Sequence, residues 1–376
     1  MKISACYMVR NEEENLPKSL LSIKHIADEI IVVDTGSTDR TKAVAEEFGA
    51  RVYDFPWCDD FSAPRNFAID QACGDWILFL DADEYLRDNI SRQQILAMIA
   101  EMTDRDVIMF LHRNIIDRNN SAHFHTEAVP RMFRREDKIR YHGSIHEAVA
   151  HSERPLQVGF APEEYYIWHT GYLRNVSPQK AQRNLRLLKK AIARDGHQPI
   201  YDKYLADCYI DLQDYEKALL HIKKFLQSGC TIHGGESSAY HVLLECVRKL
   251  HLPHQEFLFW ARQACAKFPK LPEYYAEQGM CLSAMGELAE AREKLLHSLE
   301  MYENNSAYGQ HGSYYSAEVA AKVAARLGEI AAVQQNIDEA AKWFTRALDY
   351  SPHNLDIKAK VESFIQQAEQ ELGRQH

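Results

Sequence analysis

Two runs, "EIIVVD" at 29–34 and "DWILFLDAD" at 75–83, constrain the fold more than any other feature of this chain. Ile30 to Val33 and Trp76 to Leu80 are apolar at consecutive positions, so a strand made from either must be covered on both faces. Such strands lie inside a sheet flanked by helices, and the neighbouring segments supply them. Ile3 to Val9 reads as a first strand, and Leu16, Leu20, Leu21 and Ile23 form a helical stripe behind it. After Asp34, "TGSTD" is a turn that offers Thr38 or Asp39 as the cap of a helix running to Phe48. Gly49 stops that helix, "RVYDF" is a third strand, and a further helix begins at Pro64 and ends at Gly74. The β-α-β-α alternation predicts a Rossmann-like, mainly parallel α/β sheet.

In open α/β sheets, ligands bind beyond the carboxyl ends of the strands. That rule gathers scattered residues. Arg10 and Asn11 follow the first strand, Asp34 ends the second, and Asp81 and Asp83 end the strand that begins at Trp76. Asp81, Asp83 and Glu84 crowd three carboxylates into four positions, where they repel unless positive charge lies between them. Alone, such a triplet is most often a solvated acidic turn. With three strand ends converging, a divalent-cation site is the better reading.

The formal net charge of -10 argues against a protein that holds nucleic acid in a general basic field, although "RMFRREDKIR" at 131–140 is locally basic. Arg131, Arg134 and Arg135 read mainly as a solvated strand edge, with pairing to a diphosphate or an acidic acceptor as the minority reading. "MKISACYMVRNEEEN" turns acidic where a signal peptide would be apolar, and the longest apolar runs are too short to span a bilayer. The expectation is a soluble cytoplasmic protein with no transmembrane segment. The eight cysteines form no C-x-x-C pair and read as reduced thiols.

Beyond Asp106, "DVIMFLHRN", "AVPRMFRR" and "RYHGSIHEAVA" are strand-rich; after "WHTGY" and from about Ser177 only helical patterns remain. The predicted division is therefore 1–175 and 176–376. The second part repeats. Leu205, Ala206, Tyr209, Ala218, Ile222 and Phe225 occupy tetratricopeptide anchor positions. So do Gly279, Leu282, Ala291, Leu295 and Ser298, and again Leu327, Gly328, Ala340, Phe344, Ala347 and Pro352. A degenerate unit lies between, with Leu244, Ala261, Ala264 and Pro269. Small residues let paired helices approach and large ones fill the gap between repeats.

"MVRNEEENLPKSL", "ADEIIVVDTGSTDRT", "APRNFAIDQACGDWILFLDADEYL" and "IHEAV" together resemble glycosyltransferase family 2 over roughly the first 170 residues. The whole chain resembles bacterial members that carry C-terminal tetratricopeptide repeats, some of which glycosylate peptides such as bacteriocin precursors while others build cell-envelope sugars. The resemblance implies a GT-A fold and an inverting, metal-dependent transfer from a nucleotide-diphosphate sugar, a UDP-sugar first among them. "DAD" then resembles the D-x-D motif. Asp83 would ligate Mg²⁺ or Mn²⁺ at the donor diphosphate, and Asp81 would reach the ribose or the metal's water shell. Asp34 would accept a hydrogen bond from the nucleobase with Arg65 beside it, and Arg10, Asn11 and Glu12 would line the nucleotide pocket. Asn66 would cap or bridge. Glu147 of "IHE" is the candidate base, His169 of "WHTGY" the candidate last metal ligand, and His146 competes for metal or acceptor contact. With 18 histidines in the chain, His142 and His151 read as structural or exposed.

Three classes are weighed. A transferase acting on a peptide, protein or glycan acceptor, including cell-envelope polysaccharide, keeps its costly clustered acids. A non-catalytic scaffold built on the repeats would be expected to lose them. A nucleotidyltransferase would carry a glycine-rich basic loop where "MVRNEEENL" stands. The repeat region suits acceptor recruitment, or a homodimer through the apolar face of the last helix, formed by Ile357, Val361, Phe364 and Ile365.

Overall fold

The computed structural model describes residues 1–115, 124–171, 178–230, 236–304 and 316–373. The chain opens with β1 (Ile3–Val9), α1 (Leu16–Ile23), β2 (Glu29–Asp34), α2 (Thr41–Glu47), β3 (Arg51–Asp54), α3 (Ser62–Gln71) and β4 (Trp76–Phe79). There follow β5 (Glu84–Leu86), α4 (Arg92–Glu101), β6 (Val107–Ile115), β7 (Phe124–Arg134), β8 (Ile139–His142), β9 (Ala148–His151), β10 (Val158–Phe160) and β11 (Tyr166–His169). The main sheet runs β3-β2-β1-β4-β7-β6-β11-β5, with β10 on β6, and β8 and β9 form a separate hairpin.

The expected alternation produces the parallel half, where β1 pairs in parallel with both β2 and β4. β7 then enters antiparallel between β4 and β6. The double coverage read from the apolar runs is real. Ile3, Ala5, Tyr7 and Val9 join a core on one face with Leu16, Leu20 and Val32. Cys6, Ile31, Val33, Ile77 and Phe79 join a core on the other with Ala68 and Ile69 of α3. This is the period-two alternation of a strand buried on both sides.

Two local expectations change. Leu21 is 64% exposed, so the buried stripe of α1 is Leu16, Leu20 and Ile23 with Ser19. Gly74 does not end α3, which stops at Gln71. Its role is close approach: a Cβ there would lie 2.7 Å from the backbone nitrogen of Ser4, whose hydroxyl accepts the Gly74 N–H at 2.8 Å.

The chain divides into two compact units, Met1–Asp214 and Tyr215–His376. The last strand, β11, ends at His169, and α5 (Pro178–Asp195) and α6 (Pro199–Asp211) belong to the first unit with the sheet. The second contains α7 (Tyr215–Gln227), α8 (Glu236–Lys249), α9 (His254–Lys267), α10 (Pro272–Ala284), α11 (Leu288–Asn304), α12 (Ala317–Val333), α13 (Ile337–Tyr350) and α14 (Leu355–Gly373). The helical anchors read from the sequence are buried, while Pro269 and Pro352 lie exposed at helix exits. The small ones are required. A Cβ on Gly279 would lie 2.5 Å from Cγ of Leu295, and one on Gly328 would lie 3.1 Å from the Phe344 ring. The apolar face of α14 is partly used within the chain: Ile357 is 2% exposed and Phe364 meets Phe344 at 4.9 Å between ring centroids. Among the described residues, no helix is long and apolar enough to cross a membrane.

Candidate active site

The loops after β1 and β2 are laced together. Asn11, in the left-handed region at φ 55, donates its N–H to Ser37 Oγ at 2.9 Å and accepts the Thr38 N–H at 2.8 Å. Glu12 donates its N–H to Thr41 Oγ1 at 2.8 Å, and its carboxylate accepts from Asn15 Nδ2 at 2.6 Å. These two side chains therefore shape the loop, while Arg10 is exposed beside it. Asp39 accepts from both the N–H and the hydroxyl of Thr41, as a helix-entry residue should, although the helix begins one residue later than its cap position predicts.

Asp34 is 1% exposed. Its Oδ1 accepts the N–H groups of Gly36 and Ser37 at 2.9 and 2.8 Å, and its Oδ2 is buried with no hydrogen-bond partner among the described residues. A buried carboxylate oxygen without a donor is costly, so this one points to a ligand donor.

Arg65 projects from α3, buried against the rings of Phe79 and Tyr141 at 4.8 and 5.2 Å. It donates from Nε to Glu147 Oε1 at 2.7 Å and from Nη2 to Asp81 Oδ1 at 2.8 Å. Burial alone would weaken its charged form, but Asp81 and Glu147 outweigh burial and hold it firmly cationic. The other oxygen of Asp81 accepts from Arg131 Nη2 at 3.1 Å, and Arg131 reaches Glu84 from Nε at 2.8 Å. Arg131 is thus no solvated strand edge; β7 carries it into the sheet, where it answers two acids at once. Arg134 and Arg135 are structural, donating to the carbonyls of Arg105 and Gly74.

The acidic triplet is thereby split. Arg65 and Arg131 neutralise Asp81 and Glu84. Asp83 turns elsewhere. β5 and β11 pair antiparallel with His169 opposite Glu84, and both the N–H and the hydroxyl of Thr170 donate to the Asp83 carbonyl. Asp83 Oδ2 consequently lies 3.6 Å from His169 Nε2. Burial opposes the Asp83 charge, and a protonated His169 would outweigh it and lower the carboxyl's pKa. Residue 171 is glycine, and a Cβ there would lie 2.6 Å from Asp83 Oδ2. The missing side chain keeps the mouth of the pair open. An oxygen and an imidazole nitrogen at that separation suit two ligands of one small divalent cation, whose other positions would go to water and phosphate. Among the described residues no group of three or more His, Cys, Asp or Glu side chains forms such a site, so this is a two-donor arrangement.

His146 does not join the pair. Its ring stacks on Tyr204 of α6 at 3.8 Å and 11°. The residue stays exposed to solvent there. The loop carrying it is strapped from the other side, where Phe61 N–H donates to the Ser144 carbonyl and Ser62 Oγ to that of Gly143. Asn66 bridges, donating to the Tyr141 carbonyl and accepting its N–H, both at 2.9 Å. His142 is exposed and His151 accepts the Glu153 N–H, as structural histidines would.

Sequence reasoning missed a layer under this site. His112, 3% exposed, stacks on His169 at 4.6 Å and lies 2.9 Å from Glu84 Oε1. Asn114 Oδ1 meets His169 Nδ1 at 2.6 Å, and Asn114 Nδ2 donates to Glu127 at 2.8 Å. Alternation along "FLHRN" marks His112 and Asn114 as one face of a strand, but nothing local says that the face is buried beneath His169.

Residues 4–152 match the model of the family described as glycosyl transferase family 2. The chain is 33% identical over 246 residues to a TPR repeat-containing protein of Synechococcus elongatus, covering 61% of this chain and 57% of that protein. It is 28% identical over 241 residues to the prophage-derived glycosyltransferase SunS of Bacillus subtilis, covering 59% and 54%. It is 36% identical over 132 residues to an uncharacterized glycosyltransferase of Rickettsia felis, covering 35% and 44%. The chain spans about half the length of these curated relatives. The match to glycosyl transferase family 2 thus falls on the α/β part of this chain, which the same polypeptide continues into paired helices.

Proposed function

We propose that this chain is an inverting glycosyltransferase that moves a sugar from a nucleoside-diphosphate donor, a UDP-sugar first, with a divalent cation held at Asp83 and His169. The observation that carries the reading is the convergence of Asp83 Oδ2 and His169 Nε2 outside the arginine-compensated cluster. Mg²⁺ or Mn²⁺ bound there would neutralise the charge that develops on the diphosphate as it leaves. The unpartnered oxygen of Asp34 suits a donor N–H of the nucleobase. Arg10 follows the neighbouring strand β1, whose last residue is the register partner of Asp34, while Asn11 and Glu12 support that loop. Asp81 acts through Arg65 and Arg131, which it holds in place. Glu147 is the base: Arg65 holds one oxygen and orients the carboxylate, so the other can take the acceptor's proton. His146 contributes to acceptor contact through the platform it makes with Tyr204.

The acceptor is a peptide or protein recruited by the helical repeats, whose stacked helices expose surfaces suited to extended chains. The test is nucleotide release from a panel of nucleotide sugars with Mn²⁺, with and without EDTA, alongside calorimetry of donor binding. Release from one donor, abolished by EDTA, is expected. Silence across the panel together with no donor binding would leave the repeats as an interaction scaffold and the site without a reaction.

A further inference from the structure

We propose that Asn114, oriented by Glu127, is a positioning residue that holds His169 in the tautomer protonated at Nδ1 and so turns the bare Nε2 lone pair toward Asp83. The proposal rests on the reading of Asp83 and His169 as a cation pair, and it follows from donor counting. A carboxylate only accepts, so the amide NH₂ of Asn114 must face Glu127, at 2.8 Å. That orientation leaves the Asn114 carbonyl facing His169 Nδ1 at 2.6 Å, and a carbonyl requires a proton there. In the neutral ring, the remaining nitrogen, Nε2, then presents a lone pair to Asp83 Oδ2 at 3.6 Å.

A lone pair and a carboxylate oxygen converging in this way suit a cation, for which the glycine at 171 leaves room. The fold enforces the arrangement. Asn114 and His169 are register partners across the parallel β6–β11 pair, so the backbone delivers one beside the other. Asn114 is fully buried, and His112 stacked at 4.6 Å and 11° fixes the plane of the ring. Outer partners of this kind set the tautomer of ligating histidines and shift metal affinity about 10–100-fold.

The experiment uses the full chain. Long-range ¹H–¹⁵N correlation of the histidine rings, with His169 assigned through His169→Gln, reads the tautomer at a pH where the ring is neutral. Calorimetry reads Mn²⁺ affinity in parallel. The wild-type ring should carry its proton on Nδ1. Asn114→Leu should move it to Nε2, as in free histidine, and weaken Mn²⁺ binding by about 10–100-fold. Glu127→Gln permits the Asn114 amide to flip, so a mixture of tautomers and a smaller loss are expected; it decides the matter if Asn114→Leu does not fold. A wild-type proton on Nε2, or a tautomer unmoved in both variants, overturns the proposal. A proton on Nδ1 that moves in the variants, with no Mn²⁺ bound by the wild type, supports the positioning role and sinks the cation reading instead.

Discussion

Around the strand ends of the first unit, Asp34, Arg65, Glu84, His112 and Asn114 are all less than a tenth exposed. The interior of α10 to α13 is instead mainly Ala, Leu, Val and Phe, closed by Gly279 and Gly328. The first interior carries ionised groups whose removal from water costs several kcal/mol each, and Arg65 and Arg131 offset that cost at Asp81, Glu84 and Glu147. The second carries almost none and depends on volume. A protein that only needed to fold could use the second solution throughout. The first is worth its cost where chemistry needs a dry, charged surface. Altering one charge should therefore damage the first unit, and altering one methyl group the second.

The largest effect is expected at the one acid of the triplet not answered by arginine. Asp83→Asn should lower nucleotide release by about 10³-fold at saturating Mn²⁺ and leave the unfolding midpoint in place. Unchanged release would remove Asp83 from the reaction. Next in size is the boundary. A chain ending at 214 keeps the Tyr204 stack on His146 and the bonds from α5 to Asp59; one ending at 177 loses both. The first should retain donor hydrolysis and lose transfer to a protein acceptor, while the second should lose hydrolysis by a further factor of about 10² through misplacement of the Glu147 loop. Equal hydrolysis by the two chains would show that α5 and α6 are mere passengers on the first unit.

Stability separates the two interiors further. Arg131→Met leaves Glu84 buried without its main partner and should cost about 3–5 kcal/mol in denaturant unfolding. Gly279→Val forces side-chain atoms into Leu295 and should cost about 1–3 kcal/mol. Only the arginine variant should also impair donor binding. If Gly279→Val impaired it equally, the interiors would not be independent.

Those two residues also mark what the sequence disclosed. Gly279 was legible because its role depends on a repeat period written locally along the chain. The double-faced strands and the placing of Asp34 and Asp83 at strand ends were legible for the same reason. Arg131 was not. The segment "RMFRR" carries no mark of depth, and its partner acids lie 47 and 50 residues away. Asn114, His112 and Glu127 escaped likewise, because the parallel register that brings Asn114 beside His169 joins β6 to β11 across 55 residues of sequence. The acid triplet demanded positive charge, and the sequence could not say that arginine answers two thirds of the demand.

The smallest expected effect lies between the extremes, where α5 meets the β3–α3 loop through charges that remain partly wet. Asp59 accepts from Arg186 at 2.9 Å and Lys190 at 2.6 Å, and from the Trp57 indole at 3.0 Å. The Lys190 hydrogen bond first, then those of Arg186 and Trp57, outweigh desolvation and bring its carboxyl down to about 2. A carboxylate depressed in the folded state stabilises above its unfolded value, about 3.9, and that contribution is lost as pH falls toward about 2. Because Asp59 and its partners face solvent, the whole contribution should stay within about 1 kcal/mol and shrink with added salt. Hydrogen exchange along α5 should therefore quicken between about pH 4 and pH 2, with the amides of α10 to α13 showing no matching step. Asp59→Asn should abolish the step in α5 and mimic the acid state at neutral pH. If the step persisted in that variant, α5 would be held by its buried apolar face, with Leu187 and Leu188, and the ion pairs would contribute nothing to keeping it on the first unit.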